Sequence, residues 1–463
     1  TVTIDGTVAP GDVIVRGTGY TLSGGTIAST GSLSVLSGAS LTLGNGIDAT
    51  TLSVGTVNVA GTLTLAANSV LDLTATVPAS ADASTTHFST LNSNANIITQ
   101  DGSFIKIKVG NDANKQELNF AGAINKNFHF ANQVTFHGGG ASQRSVALGA
   151  GVALKAAEGM KIVSQGTFTV NGGSLEAKEI ILGHMTAHNG GHFGKLKMTD
   201  GSIKTGTITF YNDQQGNAID IDGGTLEFTD STAIAFGREN GKEDKLDVDR
   251  VSISINDATL KAASTSWTLD GKNNTYASIN DGTILDAAAE KSITLKNVSL
   301  AGSITKDGEG LLVLGEGVTS TAALTISGGW VQTKAEDISL SGLSITDGGF
   351  VYDVADAEQQ YLTVDSYTGD LNFRLDNLAV GATYDIFQGS ADGTWTNDNV
   401  TLSGYNADMY HVTVSSNAGL VSISVAYAGL LWDADFSDTN TWVAADGETS
   451  WNGGENTENV AYS

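Results

Sequence analysis

The chain has 463 residues, with 50 acidic side chains against 23 lysines and arginines, a formal charge of −27, 57 glycines, two prolines and no cysteine. Lack of cysteine excludes disulfides, zinc–thiolate sites and cysteine nucleophiles, and the acidity argues against nucleic acid and anionic membranes, whose phosphates call for lysine and arginine. No run approaches the roughly 18 consecutive apolar residues of a spanning helix, so no direct membrane insertion is expected, and the sequence opens at Thr1 without a methionine or a basic-then-apolar stretch, so any export signal is expected to have been removed or to lie outside this sequence.

From Thr1 to about residue 76 the chain reads as short β alternation punctuated by glycine, as in Gly31-Ser32-Leu33-Ser34-Val35 and Gly61-Thr62-Leu63-Thr64-Leu65. Apolar residues at period two, with Ser and Thr between them, put one face inward and one in water. Residues 78–100 lapse into Ala, Ser, Thr, Asp and Asn and read as an excursion from the strands. Phe120, Phe128, Phe130 and Phe136 then read as stacked core residues.

A phrase of turn residue, glycine, and alternating apolar and polar residues recurs at Ser23-Gly24-Gly25-Thr26-Ile27, Asn171-Gly172-Gly173-Ser174-Leu175, Asp222-Gly223-Gly224-Thr225-Leu226, Ser327-Gly328-Gly329-Trp330-Val331 and Asp347-Gly348-Gly349-Phe350-Val351. The apolar markers Leu175, Phe193, Ile203, Leu226, Leu260, Ile284, Ile304, Val331 and Phe350 are mostly 18 to 27 residues apart. That period suits one coil of a solenoid with three short strands and three turns. The pattern predicts an all-β chain, a right-handed parallel β-helix over residues 1–353, with a charged loop bulging from one coil at residues 237–250. Strands at wider spacing across residues 354–428 predict a smaller antiparallel β region, a cap or small sandwich. Residues 429–463, with Trp432, Trp442 and Trp451, read as the start of a further module or a partner-binding tail.

Few residues point to chemistry. Asp220 with Asp222, and Asp247 with Asp249, each place two carboxylates on one side of a strand, a spacing that suits calcium or a pair of glycosidase acids; turn capping is the competing reading. No lysine or arginine lies close to Asp220 in sequence, so a basic neighbour has to come from another coil. His184, His188 and His192 are spaced by fours; on a strand such residues stand about 13 Å apart, too far to share an ion, although Asn189-Gly190-Gly191 lets His188 and His192 approach through a turn. Trp330, Phe350 and Tyr352 form either core stacking or an exposed strip for sugars. No nucleophile elbow, phosphate loop or EF-hand loop is present, and no catalytic, cofactor or metal residue is assigned.

Residues 302–315, Gly302-Ser303-Ile304-Thr305-Lys306-Asp307-Gly308-Glu309-Gly310-Leu311-Leu312-Val313-Leu314-Gly315, resemble the autotransporter-associated β-strand repeat, with Ile304, Thr305, Lys306, Gly308, Gly310 and Leu314 on its pattern. The resemblance implies the passenger region of an outer-membrane autotransporter, folded as a β-helix outside the cell. The function expected is accordingly that of a non-enzymatic extracellular stalk or adhesin on a Gram-negative cell surface, of some 15 coils and about 70 Å at the strand spacing. Its expected partners are host or environmental glycans or surface proteins, with self-association through strand edges or the C-terminal tail. The alternatives are a glycan-active enzyme or lectin, and a subunit of a surface filament or lattice.

Overall fold

The computed structural model describes residues 1–75, 81–112, 116–139, 143–183, 193–211, 216–237, 251–272, 276–353, 356, 360–389, 395–428, 430–432 and 442–444. Among these, short strands dominate, with a single helix, and the chain forms two units, Thr1–Ile284 and Leu285–Ser463. Nearly all pairing is parallel, between strands about one coil apart in sequence, so the fold is a parallel β-helix.

In Thr1–Ile284 each coil visits three ladders in turn. The first holds Val2–Thr3, Tyr20–Ser23, Ser40–Leu43, Thr62–Leu65 and Ile97–Thr99. Thr7–Val8, Thr26–Ala28, Thr51–Ser53, Val70–Asp72, Phe104–Ile107, Phe128–Phe130 and Ala153–Ala156 form the second, and Val13–Val15, Ser32–Val35 and Thr56–Val59 the third. Farther on, Gly166–Leu182 and Gly194–Phe210, each 17 residues long, run through all three faces and pair with each other from Gly166 and Gly194 to Leu182 and Phe210. Inward residues stack in register: Leu154, Leu175, Ile203, Leu226 and Leu260 form one column, each almost wholly buried. The coil repeat on that ladder varies between 19 and 34 residues, because Leu52 pairs with Leu71 but Leu226 with Leu260. The excess goes into corners, and residues 238–250, predicted as the charged loop, lie outside the described residues.

The Gly-Gly phrase makes a corner between faces. Gly172 (φ 83°) and Gly201 (φ 93°) adopt left-handed backbone, and a Cβ on Gly201 would run into the carbonyl oxygen of Gly173 in the coil before. Glycine is needed there on both counts, conformation and close approach.

The excursion at residues 78–100 contains a helix, Ala81–Ser93, where the composition predicts a loop. It follows Val70–Asp72 and precedes Ile97–Thr99, which is where the third-ladder strand falls in the preceding coils, and it packs on Glu117–Leu118. A helix spends its backbone N–H and C=O groups internally, so it has none to offer a neighbouring coil. Side chains do that work: Ser84 Oγ accepts from Gly110 N–H (3.0 Å), Thr85 Oγ1 from Asn119 N–H (3.2 Å) and Asn92 Oδ1 from Asn125 N–H (2.9 Å), while Asn92 Nδ2 donates to the Ala123 carbonyl (2.8 Å). Phe88, fully buried, meets the rings of Phe120, Phe128 and Phe130 at 5.0, 4.8 and 5.9 Å. Phe128, Phe130 and Phe136 are buried core residues, and Phe120 is half-buried against the helix.

In Leu285–Ser463 the repeat tightens. Ser292, Leu311, Trp330 and Gly349 succeed one another in register at intervals of 19 residues. Parallel pairing continues past residue 353: Gly349–Asp353 pairs with Leu371–Asp376, which pairs with Val400–Ser403, and Ser339–Leu340, Leu362–Val364 and Thr383–Gln388 form a second parallel series. Among the described residues antiparallel pairing joins Thr383–Gln388 with Leu420–Tyr427, Leu420–Tyr427 with Tyr410–Asn417, and the short Leu430–Trp432 with Trp442–Ala444. The change of pattern at residue 354 is therefore first a lengthening of the coil, with Phe350 opposite Phe373 and Leu371 opposite Val400, and only later a reversal of direction. Wider strand spacing suits either direction; the neighbour that offers a free edge decides.

Candidate functional site

The second ladder of Thr1–Ile284 carries an outward column that none of the sequence motifs announces. In register, coil by coil, stand Asp72, Lys106, His129, Lys155, Glu176, Lys204, Glu227 and Lys261. Each follows an inward apolar residue of its strand, as Glu176 follows Leu175 and Lys204 follows Ile203, so strand alternation places them all on the solvent face. Ion pairs bridge successive coils: Lys106–Asp72 at 3.5 Å, Lys155–Glu176 at 2.9 Å and Lys204–Glu227 at 2.8 Å. Opposite charges directly across a ladder are favourable and like charges are not, which accounts for the alternation.

His129 breaks it. This position lies between Lys106 and Lys155, where alternation calls for an anion. Burial, helped by those two lysines, lowers the His129 pKa from its ordinary value, against the opposing pull of Glu176 and Asp72, so the imidazole is neutral at pH 7. The Phe104 ring lies 6.2 Å from His129, and Lys155 Nζ sits over the same ring at 5.3 Å. Burial opposes ionisation of Asp72, but hydrogen bonds from Thr74 and the Lys106 ammonium outweigh it and hold the carboxyl below its usual range. Beside the column runs a groove of about 350 Å³ with Ala156, Ala157 and Ala177 in its lining and His129, Lys155, Glu176, Lys178 and Lys204 around it.

The residues singled out in the sequence are placed as follows. Asp220 points outward and forms an ion pair with Lys197 at 2.6 Å, the basic neighbour arriving from the coil before; Asp222 is exposed at the end of the same strand. His184, His188 and His192, and Asp247 and Asp249, lie outside the described residues. Among the described residues no three His, Asp or Glu side chains come together as a metal-holding group. Phe350 is core, its ring tilted against that of Phe373 at 5.7 Å; Trp330 is half-buried beneath the Arg374 guanidinium at 5.3 Å; Tyr352 meets Tyr384 at 6.2 Å. The three aromatics thus divide between the core and two separate outer contacts.

The repeat-like segment has a clear local purpose. Lys306 faces inward in Ser303–Asp307 and is fully buried, with Asp307 and Asp286 attracting it from a distance. Its ammonium donates instead to three backbone carbonyls, Asp307 at 2.6 Å, Gly308 at 2.7 Å and Gly328 at 3.0 Å, tying a corner to the corresponding corner of the next coil. A Cβ on Gly308 would strike the Ala287 carbonyl oxygen, and one on Gly310 those of Ala288 and Lys291. The spacing Lys-x-Gly-x-Gly is therefore a corner lock: a cation for the carbonyls, and two glycines where adjacent coils touch.

The chain matches no protein-family model, no curated protein and no solved structure.

Proposed function

We propose that this chain is a passenger-type surface protein, a stalk or adhesin that holds binding surface away from a Gram-negative cell. The observation that carries the reading is the repeat-like corner at residues 302–315, where Lys306, Gly308 and Gly310 perform joint structural work within a parallel β-helix. Two further features support it. A cysteine-free chain crosses membranes without premature disulfides, and a strongly acidic surface keeps an extended solenoid soluble. The test is surface accessibility of the natural gene product: antibodies against residues 1–284 should label intact cells, and added protease should remove the epitope without lysis. Labelling that appears only after lysis would overturn the reading. A lectin-like variant of the same role is favoured by the charged ladder and its adjoining groove, which present regularly spaced hydrogen-bonding groups on an outer wall.

A further inference from the structure

We infer that the break in the charged ladder at His129 is a subsite for the carboxylate of an acidic polysaccharide, with the chain lying in the adjoining groove. The inference rests on the reading of this protein as one that presents binding surface, and it names the ligand chemistry.

The register carries it. Along the column every position between two cations holds an anion, Glu176 between Lys155 and Lys204, and Glu227 between Lys204 and Lys261, except the one between Lys106 and Lys155. There the chain supplies His129, a group that changes from neutral to cationic on gaining one proton. A ligand carboxylate seated at this break restores the alternation that the other coils obtain from Asp and Glu. It would face His129 from Phe128–Phe130, Lys106 from Phe104–Ile107 and Lys155 from Ala153–Ala156, with Asp72 and Glu176 one coil farther out on either side. The surroundings admit a chain: Ala156, Ala157 and Ala177 keep side-chain bulk out of the groove, and Lys178, held by Glu158 at 3.3 Å, stands along it.

A polysaccharide fits better than a peptide for two reasons. Coils repeat every ~4.8 Å along the column, close to the length of one sugar in an extended chain, so successive sugars meet Lys155, Glu176 and Lys204 in turn, a donor, an acceptor for ring hydroxyls and a second donor. A peptide binding as an added strand would need a free edge, and this wall has its edges already paired within the ladder.

The sign of the pH effect follows. Burial and the two lysines keep His129 neutral in the free protein, and a bound carboxylate favours the imidazolium, so binding takes up a proton and tightens as pH falls. With the whole chain and tetramannuronate as probe, calorimetry should show affinity about threefold to sixfold higher at pH 5.5 than at pH 7.5, the change that a rise of about one unit in the His129 pKa on binding gives across that window. His129→Gln should abolish the pH dependence and Lys155→Gln should weaken binding about tenfold at both pH values. Mannotetraose, the same chain without carboxylates, should not bind. In the unaltered protein the His129 ring resonance should titrate at higher pH when tetramannuronate is present, a readout independent of how the variants fold. Equal binding of mannotetraose, binding of tetraglutamate as tight as that of tetramannuronate, an unmoved His129 titration, or no binding at pH 5.5 would each overturn the inference. Surface labelling of intact cells together with no tetramannuronate binding would remove this inference and leave the surface role standing.

Discussion

Lys306 illustrates how one inward polar residue is tolerated in an aliphatic stack. It sits in register with Ile326 and carries its charge to the end of the strand, where three carbonyls receive it. Burial pushes its pKa down to about 8, against the pull of Asp307 and Asp286. Because the folded-state value lies below that of an unfolded lysine, the unfolded chain binds the extra proton between pH 8 and about 10.4, and stability contributed by this group rises with pH across that window. Denaturant titrations at pH 8 and pH 10 should therefore show a rise in the native protein that is missing in Lys306→Met; parallel pH profiles would contradict it. At pH 7 the Met variant removes the donor to three carbonyls, that of the buried Gly328 among them, so it should be destabilised by about 1–3 kcal/mol. His129 has the same sign in a lower pH window. Its lowered pKa means that stability falls as pH drops below about 6.5, the ordinary histidine value, and His129→Gln should flatten that part of the profile in the absence of ligand.

At the level of elements, the helix Ala81–Ser93 and the strand Tyr410–Asn417 show two ways of ending a ladder. The helix replaces a strand and meets the next coil through Ser84, Thr85, Asn92 and Phe88. Phe88→Ala should cost about 3–5 kcal/mol through lost burial and a cavity among Phe120, Phe128 and Phe130. Asn92→Ala should cost about 1–3 kcal/mol through a backbone donor and acceptor left unsatisfied. Tyr410–Asn417 ends its sheet, and the Asn397 side chain covers part of that edge, donating to the Val412 carbonyl (2.9 Å) and accepting from Val414 N–H (2.8 Å). An open edge is a template for another chain. Asn397→Ala should thus increase self-association, seen as a concentration-dependent sedimentation coefficient; a variant that stays as monodisperse as the parent would show that Asn397 has no protective part.

Across the molecule, stability is distributed over coils rather than gathered in one centre, since each coil is buried chiefly by its immediate neighbours. The inward column Leu154, Leu175, Ile203, Leu226 and Leu260 carries far more of it than the outward ion pairs. Full burial of one such side chain is worth about 1.5–3 kcal/mol, whereas an exposed pair such as Lys155–Glu176 contributes about 0.2–1 kcal/mol. Glu176→Gln should accordingly change stability by less than about 1 kcal/mol, while Leu175→Ala should cost about 2–5 kcal/mol. That contrast supports a division of labour between the two faces of each strand, the inner for cohesion and the outer for encounter.

Much of the architecture is local and so can be read from the chain itself. Period-two alternation separates inner from outer residues, and glycine before an apolar residue marks corners, because both depend only on near neighbours. The segment from Ile304 to Gly310 is likewise legible as a unit, its lock closing largely on its own carbonyls. What the alternation leaves open is which coil meets which residue. The apolar markers include positions from different faces: Leu226 lies on the second ladder of its unit, whereas Ile304 and Val331 stand on two different ladders of theirs. The helix was hidden because the Ser, Thr, Asn and Asp that make up most of it favour helix weakly and its anchoring partners lie some 26 to 34 residues away. The charged ladder was hidden for the same reason. Its members are ordinary solvent-facing residues one by one, and only the parallel register, set by corners of unequal length, brings Lys106, His129 and Lys155 into line. Sequence alone determined which side of each strand faces water; tertiary pairing decided which charges face one another, because electrostatic neighbours on a solenoid wall are a coil apart along the chain and only a strand spacing apart in space.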